Sequence, residues 1–176
     1  LLHAGLTPHM VVGADPGAAN ARHFHALPDC SKTWLVSESA LDRSATSLFD
    51  GRSLWFRLAR HHPWPWLQES GIDIGLMEMW GSVLTAAFQA ACLAGCDPIV
   101  IVGADLAYTD GRPYCRGTTY EFDWASGTAR GRSLDQVWSA QVSRAKPIRV
   151  PDVSGRGTST TGALQSFREW MVAGAA

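Results

Sequence analysis

Hydrophobic positions along this chain come in short blocks, and their spacing changes from block to block. His9-Met10-Val11-Val12-Gly13 is apolar, follows Thr7-Pro8 and ends at Ala14-Asp15-Pro16-Gly17, the pattern of a strand covered on both faces of a parallel sheet. Thr33-Trp34-Leu35-Val36-Ser37 has the same character and predicts a second strand. From Ser39 to Gly75 the pattern is irregular, broken by Pro63 and Pro65, and reads as an insertion or lid. Val83, Ala86, Ala87, Ala90, Ala91 and Ala94 then follow helical spacing, with Ser82 placed to cap the start and Gly95 to close the end. Ile99-Val100-Ile101-Val102 is too short for a helix and predicts a central parallel strand ending in Gly103-Ala104-Asp105. Leu134, Val137, Trp138 and Val142 predict a helix over 133–145, Ile148-Arg149-Val150 a short strand, and Leu164, Phe167, Trp170 and Met171 a last helix over 163–172. The alternation of strand and helix predicts an open, mostly parallel α/β sheet flanked by helices.

Length and composition narrow the class. The 176 residues suit one domain, and the hydrophobic fraction of 46% excludes general disorder. No apolar run approaches the roughly 20 residues that cross a bilayer. Residues 1–111 carry 6 basic and 11 acidic side chains, residues 112–176 carry 9 and 5. The arginines of the basic half, Arg112, Arg116, Arg130, Arg132, Arg144 and Arg149, suit an anionic small molecule and are too scattered for a nucleic-acid surface. Cys30, Cys92, Cys96 and Cys115 lack zinc or redox spacing and read as reduced thiols of a cytoplasmic protein. The opening Leu-Leu-His-Ala-Gly reads as the end of a helix closed at Gly5, with a first strand and its turn expected ahead of it.

Candidate chemistry gathers where strands end. Asp15 and Asp105 each follow a predicted strand at its carboxyl end, the rim on which open α/β sheets bind ligands. Two carboxylates on that rim suit Mg²⁺ beside a diphosphate, or a ribose or sugar hydroxyl; capping of a turn is the competing role for each. Gly81-Ser82 opens a helix whose amide groups and dipole favour a phosphate. Tyr108 to Tyr120 contains all three tyrosines, with Arg112 and Arg116, and has the make-up of a binding loop as well as of a cover for the sheet edge. His61-His62 lie next to Trp64 and Trp66, but adjacent side chains on an extended chain point apart, which favours packing over a shared metal.

Four stretches together resemble a known family: Gly5-Leu6-Thr7-Pro8-His9-Met10-Val11-Val12 leading to Asp15-Pro16, the helix from Gly81-Ser82-Val83, Gly95 to Gly111 with its Gly103-Ala104-Asp105-Leu106-Ala107-Tyr108 core, and Val153-Ser154-Gly155 with Thr160-Thr161. The chain resembles the 6-hydroxymethylpterin diphosphokinase MptE-like family, which embraces the core of bacterial Maf-type motility-associated flagellin glycosyltransferases. The resemblance implies a Rossmann-like fold and a transferase that uses a nucleotide or nucleotide-activated donor. It places Asp15 in the Asp-Pro turn after the first strand and Asp105 and Tyr108 in the Asp-Leu-Ala-Tyr loop, both facing the binding crevice. With the reading of the residues above, Asp15 and Asp105 are expected to serve catalysis or Mg²⁺, and Pro16, Gly81, Ser82, Gly103, Tyr108, Thr109, Tyr114 and Arg116 to surround the donor. Two departures stand out: the family's glycine-rich turn is absent upstream, and Ala104 stands where a polar residue is common. In one implied reaction a CMP-linked nonulosonic (sialic-acid-like) sugar passes to a hydroxyl of a flagellin-type protein, with His23 or His25 as base. In the other, a pterin hydroxymethyl oxygen attacks the β-phosphorus of ATP. A third reading is a non-catalytic nucleotide- or sugar-binding module.

Overall fold

The computed structural model describes residues 1, 4–24, 29–59, 61–115, 117–128 and 131–175, with the backbone alone at 18–20. The chain forms two compact units, Leu1–Val100 and Ile101–Ala176.

The first unit is built on four parallel strands in the order β1 (Met10–Gly13), β2 (Trp34–Glu38), β3 (Ser53–Arg57) and β4 (Gly75–Leu76). The register aligns Gly13 with Ser37, Glu38 with Phe56, and Arg57 with Leu76, so the carboxyl ends of the strands form one edge. Side chains alternate across the pleat. On one face Leu35 meets Leu41, Ala45 and Phe49, supplied by the short helix α1 (Arg43–Thr46) and the 3-10 turn Ser47–Phe49. On the other, Val36 and Phe56 pack with Met77 and with Ala86 of helix α3 (Val83–Leu93). Helix α2 (Trp64–Glu69) links β3 to β4, and there the Arg57 guanidinium bonds Asp73 at 2.5 Å. An open parallel sheet with helices on both faces is a Rossmann-like α/β arrangement, as the sequence predicts.

Two expectations are corrected. The stretch from Ser39 to Gly75 is no irregular insertion: it supplies β3, which pairs with β2 on one side and β4 on the other. Its signal is weak because exposed Leu54 and Trp55 stand beside buried Phe56, and polar Ser53 and Arg57 close the ends. Conversely, Ile99–Val102 forms no strand, and Val100 and Val102 are 77% and 87% exposed. A β-branched run gains strand structure from the neighbours that pair and pack it, and none of the four strands pairs with this one.

The second unit holds the 3-10 turn Thr109–Gly111, helices α4 (Thr119–Thr128) and α5 (Leu134–Arg144), the antiparallel hairpin of β5 (Ile148–Pro151) and β6 (Gly157–Thr160), and helix α6 (Gly162–Gly174). Helix α5 starts on a capping box in which Ser133 and Gln136 satisfy each other's backbone amides. Its Val137 and Trp138 are buried, and α4 approaches α5 closely at Gly127, where a Cβ would lie 3.1 Å from Val137. Among the described residues no helix is long and apolar enough to cross a membrane.

The hairpin turn is organised by Asp152. Its carboxylate accepts from the Ser154 and Arg156 amides and the Ser154 hydroxyl, and pairs with the Arg156 guanidinium at 3.3 Å. The Ser154 hydroxyl bond, followed by the two amides and Arg156, holds its pKa at about 2 against the usual 3.8. A carboxyl whose folded pKa is depressed stabilises the fold above its unfolded pKa and loses that contribution as pH falls through the folded value. Thermal melts are therefore expected to show a loss of stability between about pH 4 and pH 2 that is smaller in Asp152→Asn. Identical slopes in the two proteins would contradict this.

Candidate functional site

The sequence-predicted residues fall into two groups, one in each unit. In the first unit they lie near the carboxyl edge of the sheet. Asp15 is exposed, and its Oδ1 accepts from the Gly17 amide at 3.0 Å, so one oxygen is occupied by the turn that leads into the 3-10 segment Ala18–His23. Pro16 follows it on the surface, and His23 is exposed at the end of that segment. His25 lies outside the described residues.

The start of α3 is fixed from within. Gly81 adopts φ +69°, which favours glycine, and Ser82 accepts from the Leu84 amide at 3.3 Å. The fully buried Thr85 receives the Trp80 amide at 2.8 Å and donates to the Ser82 carbonyl at 2.6 Å. An anion arriving at this helix start competes with the Ser82 hydroxyl for the Leu84 N–H.

One charged group on this edge escaped the sequence reading. Glu38, 3% exposed at the end of β2, accepts from the Ser39 hydroxyl and the Ala40 amide, both at 2.7 Å. Ser39 in turn accepts from the Trp64 indole at 2.9 Å. Glu38 follows Leu35-Val36-Ser37 as Asp15 follows Met10-Val11-Val12, so the signal that singled out Asp15 applied equally to it.

In the second unit Gly103, Asp105, Tyr108, Thr109 and Tyr114 line one cleft of about 550 Å³. Arg116, expected beside them, lies outside the described residues. The loop that carries Asp105 has an unusual backbone: Gly103 adopts φ +74°, and Leu106, a side chain that disfavours this region, adopts φ +49°. Such strain persists only where the surroundings hold it. Here the Thr160 hydroxyl, 1% exposed, donates to the Leu106 carbonyl at 2.6 Å, and the Tyr108 amide donates to the Ser159 carbonyl at 2.7 Å. The loop is thereby bound to β6, and the exposed Asp105 is presented from a fixed turn.

An aromatic cluster stands behind Tyr114 of the cleft. Tyr114 stacks on Tyr120 with ring centroids 4.3 Å apart, and Trp124 of α4 leans on both. Partial burial, followed by Tyr120 and Tyr108, pushes the Tyr114 phenol above its ordinary value, so it remains a hydrogen-bond donor through neutral pH. Arg112 does not reach out as a free cation; its guanidinium lies over Trp138, 5.4 Å from the ring centroid. A second cleft of about 610 Å³ shares Asp105, Leu106 and Thr109 and continues to Thr158 and Arg168. The sequence marks Thr160 only as part of a family stretch; its role as the loop's anchor becomes visible once β6 lies beside the loop.

The family model for 6-hydroxymethylpterin diphosphokinase MptE-like proteins matches residues 1–111. The chain belongs to the MptE-like family. The match takes in the first unit and the Gly103–Gly111 loop and stops before Arg112, so Val153-Ser154-Gly155 and Thr160-Thr161 lie outside it. No curated protein and no solved structure matches this MptE-like chain.

The anchor of the loop is directly testable. Thr160→Val keeps the shape and removes the donor to Leu106. The expected cost is about 1–3 kcal/mol, because a half-buried carbonyl loses its partner and a strained turn its restraint. Chemical denaturation measures it, and a change below about 0.5 kcal/mol would contradict the anchoring role.

Proposed function

We propose that this MptE-like protein is a transferase that draws on a nucleotide-activated donor, and that the donor occupies the Gly103–Cys115 cleft. The restrained loop carries the reading: a carboxylate and a tyrosine, Asp105 and Tyr108, sit on backbone held in place beside the aromatic wall of Tyr114. Pockets of this size with a few fixed polar groups on a largely apolar lining suit a nucleotide. The base stacks on Tyr114, the Tyr114 phenol donates to the donor, and Asp105 orients a ribose or sugar hydroxyl or holds Mg²⁺ against phosphate oxygens. Asp105 and Asp110 bring oxygen ligands of the kind that hard cation prefers.

The donor we favour is a CMP-linked nonulosonic sugar, and the acceptor a serine or threonine hydroxyl of a flagellin-type protein. The hydroxyl oxygen bonds to the anomeric carbon as the bond from that carbon to the phosphate oxygen breaks. CMP departs with the electron pair, and the hydroxyl proton passes to a general base.

The family description favours a second reading, in which the pterin hydroxymethyl oxygen bonds to the β-phosphorus of ATP and AMP leaves. Product analysis separates the two. With CMP-sialic acid and a flagellin-type acceptor, mass spectrometry is expected to show the acceptor heavier by one sugar residue. A diphosphorylated pterin formed from ATP and Mg²⁺, with the acceptor unchanged, would overturn the sugar reading. Inactivity with both substrate pairs would leave a binding module and overturn transfer itself.

A further inference from the structure

A separate cleft of about 340 Å³ opens in the first unit, over the helical return from β2 to β3. Its walls are Arg43 of α1, Asp50 of the turn before β3, and Trp55 of β3, with the hydroxyls of Thr46, Ser47 and Ser53 between them. Three features set it apart from ordinary polar surface. The indole of Trp55 is 45% exposed, although it belongs to an inner strand of the sheet. The Arg43 guanidinium, the Asp50 carboxylate and the Trp55 indole N–H have no hydrogen-bond or ion-pair partner among the described residues. The hydroxyls are already oriented by the backbone: Thr46 donates to the Arg43 carbonyl at 3.3 Å, Ser47 to the Ser44 carbonyl at 3.4 Å and Ser53 to the Phe49 carbonyl at 3.2 Å. Each keeps lone pairs as acceptors.

The chemistry narrows the ligand. A flat aromatic surface beside one free cation, one free anion and a ring of hydroxyls matches a molecule with an apolar face and an edge of alternating donors and acceptors. A pyranose has that form: its axial C–H groups lie on an indole, and vicinal hydroxyls donate to a carboxylate while accepting from a guanidinium. A diphosphate would meet the Asp50 carboxylate, and a purely apolar ligand would leave Arg43 and Asp50 desolvated without partners. The cleft is of a size to take one ring with its water.

We propose that this cleft is a carbohydrate-binding site that takes a single pyranose ring, stacked on Trp55 and hydrogen-bonded by Arg43 and Asp50. It is built from the first unit alone and does not depend on the donor reading of the Gly103–Cys115 cleft.

Saturation-transfer NMR on the full chain tests it, with the methyl glycosides of glucose, galactose, N-acetylglucosamine and sialic acid as probes. Saturable binding of at least one is expected, with Kd on the order of millimolar, as befits a shallow site with few contacts. Trp55→Ala is expected to weaken it tenfold or more, Trp55→Phe by threefold or less, and Asp50→Asn and Arg43→Ala severalfold each. Tyr114→Ala, in the other unit, is expected to leave it unchanged. Thermal melts accompany each variant; should Trp55→Ala fail to fold, the surface variants Arg43→Ala and Asp50→Asn decide. No saturable sugar at tens of millimolar, undiminished binding in the surface variants, or a site that takes cytidine in preference to every glycoside would overturn the proposal.

Discussion

Asp105→Asn is expected to lower the transfer rate by about a hundredfold or more while the thermal midpoint stays within about a degree of the parent. Asp105 is exposed in the cleft wall, and among the described residues it makes no hydrogen bond that the fold would miss. The backbone that carries it is held by Thr160 and Ser159, which bond to the main chain of Leu106 and Tyr108. Asparagine keeps the shape and removes the charge, so what is lost is metal binding or orientation of a donor hydroxyl, interactions worth about 3 kcal/mol or more in a preorganised site. Steady-state kinetics with the parent's own substrates measures it. A rate within threefold of the parent would remove Asp105 from the mechanism; a large fall in stability would mean that it serves the fold.

The largest expected stability effect lies in the other unit. Phe49→Ala is expected to cost about 3–5 kcal/mol, the usual range for removing a buried ring. Phe49 is 1% exposed, fills the space between Leu35, Leu41 and Ala45, and meets the Phe24 ring edge-on at 6.0 Å. It ends the short helical segment that packs against Leu35 on one face of β2. Chemical denaturation of the first unit gives the number, and a cost below 1 kcal/mol would show that this face is not the core.

Much of this architecture was legible in the chain, for identifiable reasons. β1 and β2 were found because a parallel strand covered on both faces must be apolar on both, which leaves a continuous run such as Met10-Val11-Val12. α3, α5 and α6 were found because helical spacing coincided with a cap, Ser82, Ser133 or Thr161. β3 was not, since exposed Leu54 and Trp55 stand together before buried Phe56 and Arg57, which gives neither the alternation of a half-buried strand nor the long apolar run of a covered one. β6 was missed for a similar reason: Gly-Thr-Ser-Thr has no apolar residue, and it forms because β5 pairs with it. Ile99–Val102 shows the opposite failure, a strong local preference with no partner to realise it. The candidate site divides along the same line. Gly103, Asp105, Tyr108, Thr109 and Tyr114 were legible as one polar, aromatic loop and do share a cleft. The Thr160 hydroxyl and the φ of Leu106 were not, because a hydrogen bond across 54 positions leaves no mark on local sequence.

The central claim, that the Gly103–Cys115 cleft takes a cytidine nucleotide, is tested most directly by titrating the full chain with CMP, CTP and ATP, with and without Mg²⁺, and following tryptophan emission. Trp124 stands against Tyr114, which lines the cleft, and is placed to report. Saturable quenching by CMP and CTP, tighter than by ATP, is expected, with a loss of about tenfold in affinity in Tyr114→Ala. Binding of ATP alone, dependent on Mg²⁺, or no response to any of the three nucleotides, would contradict it.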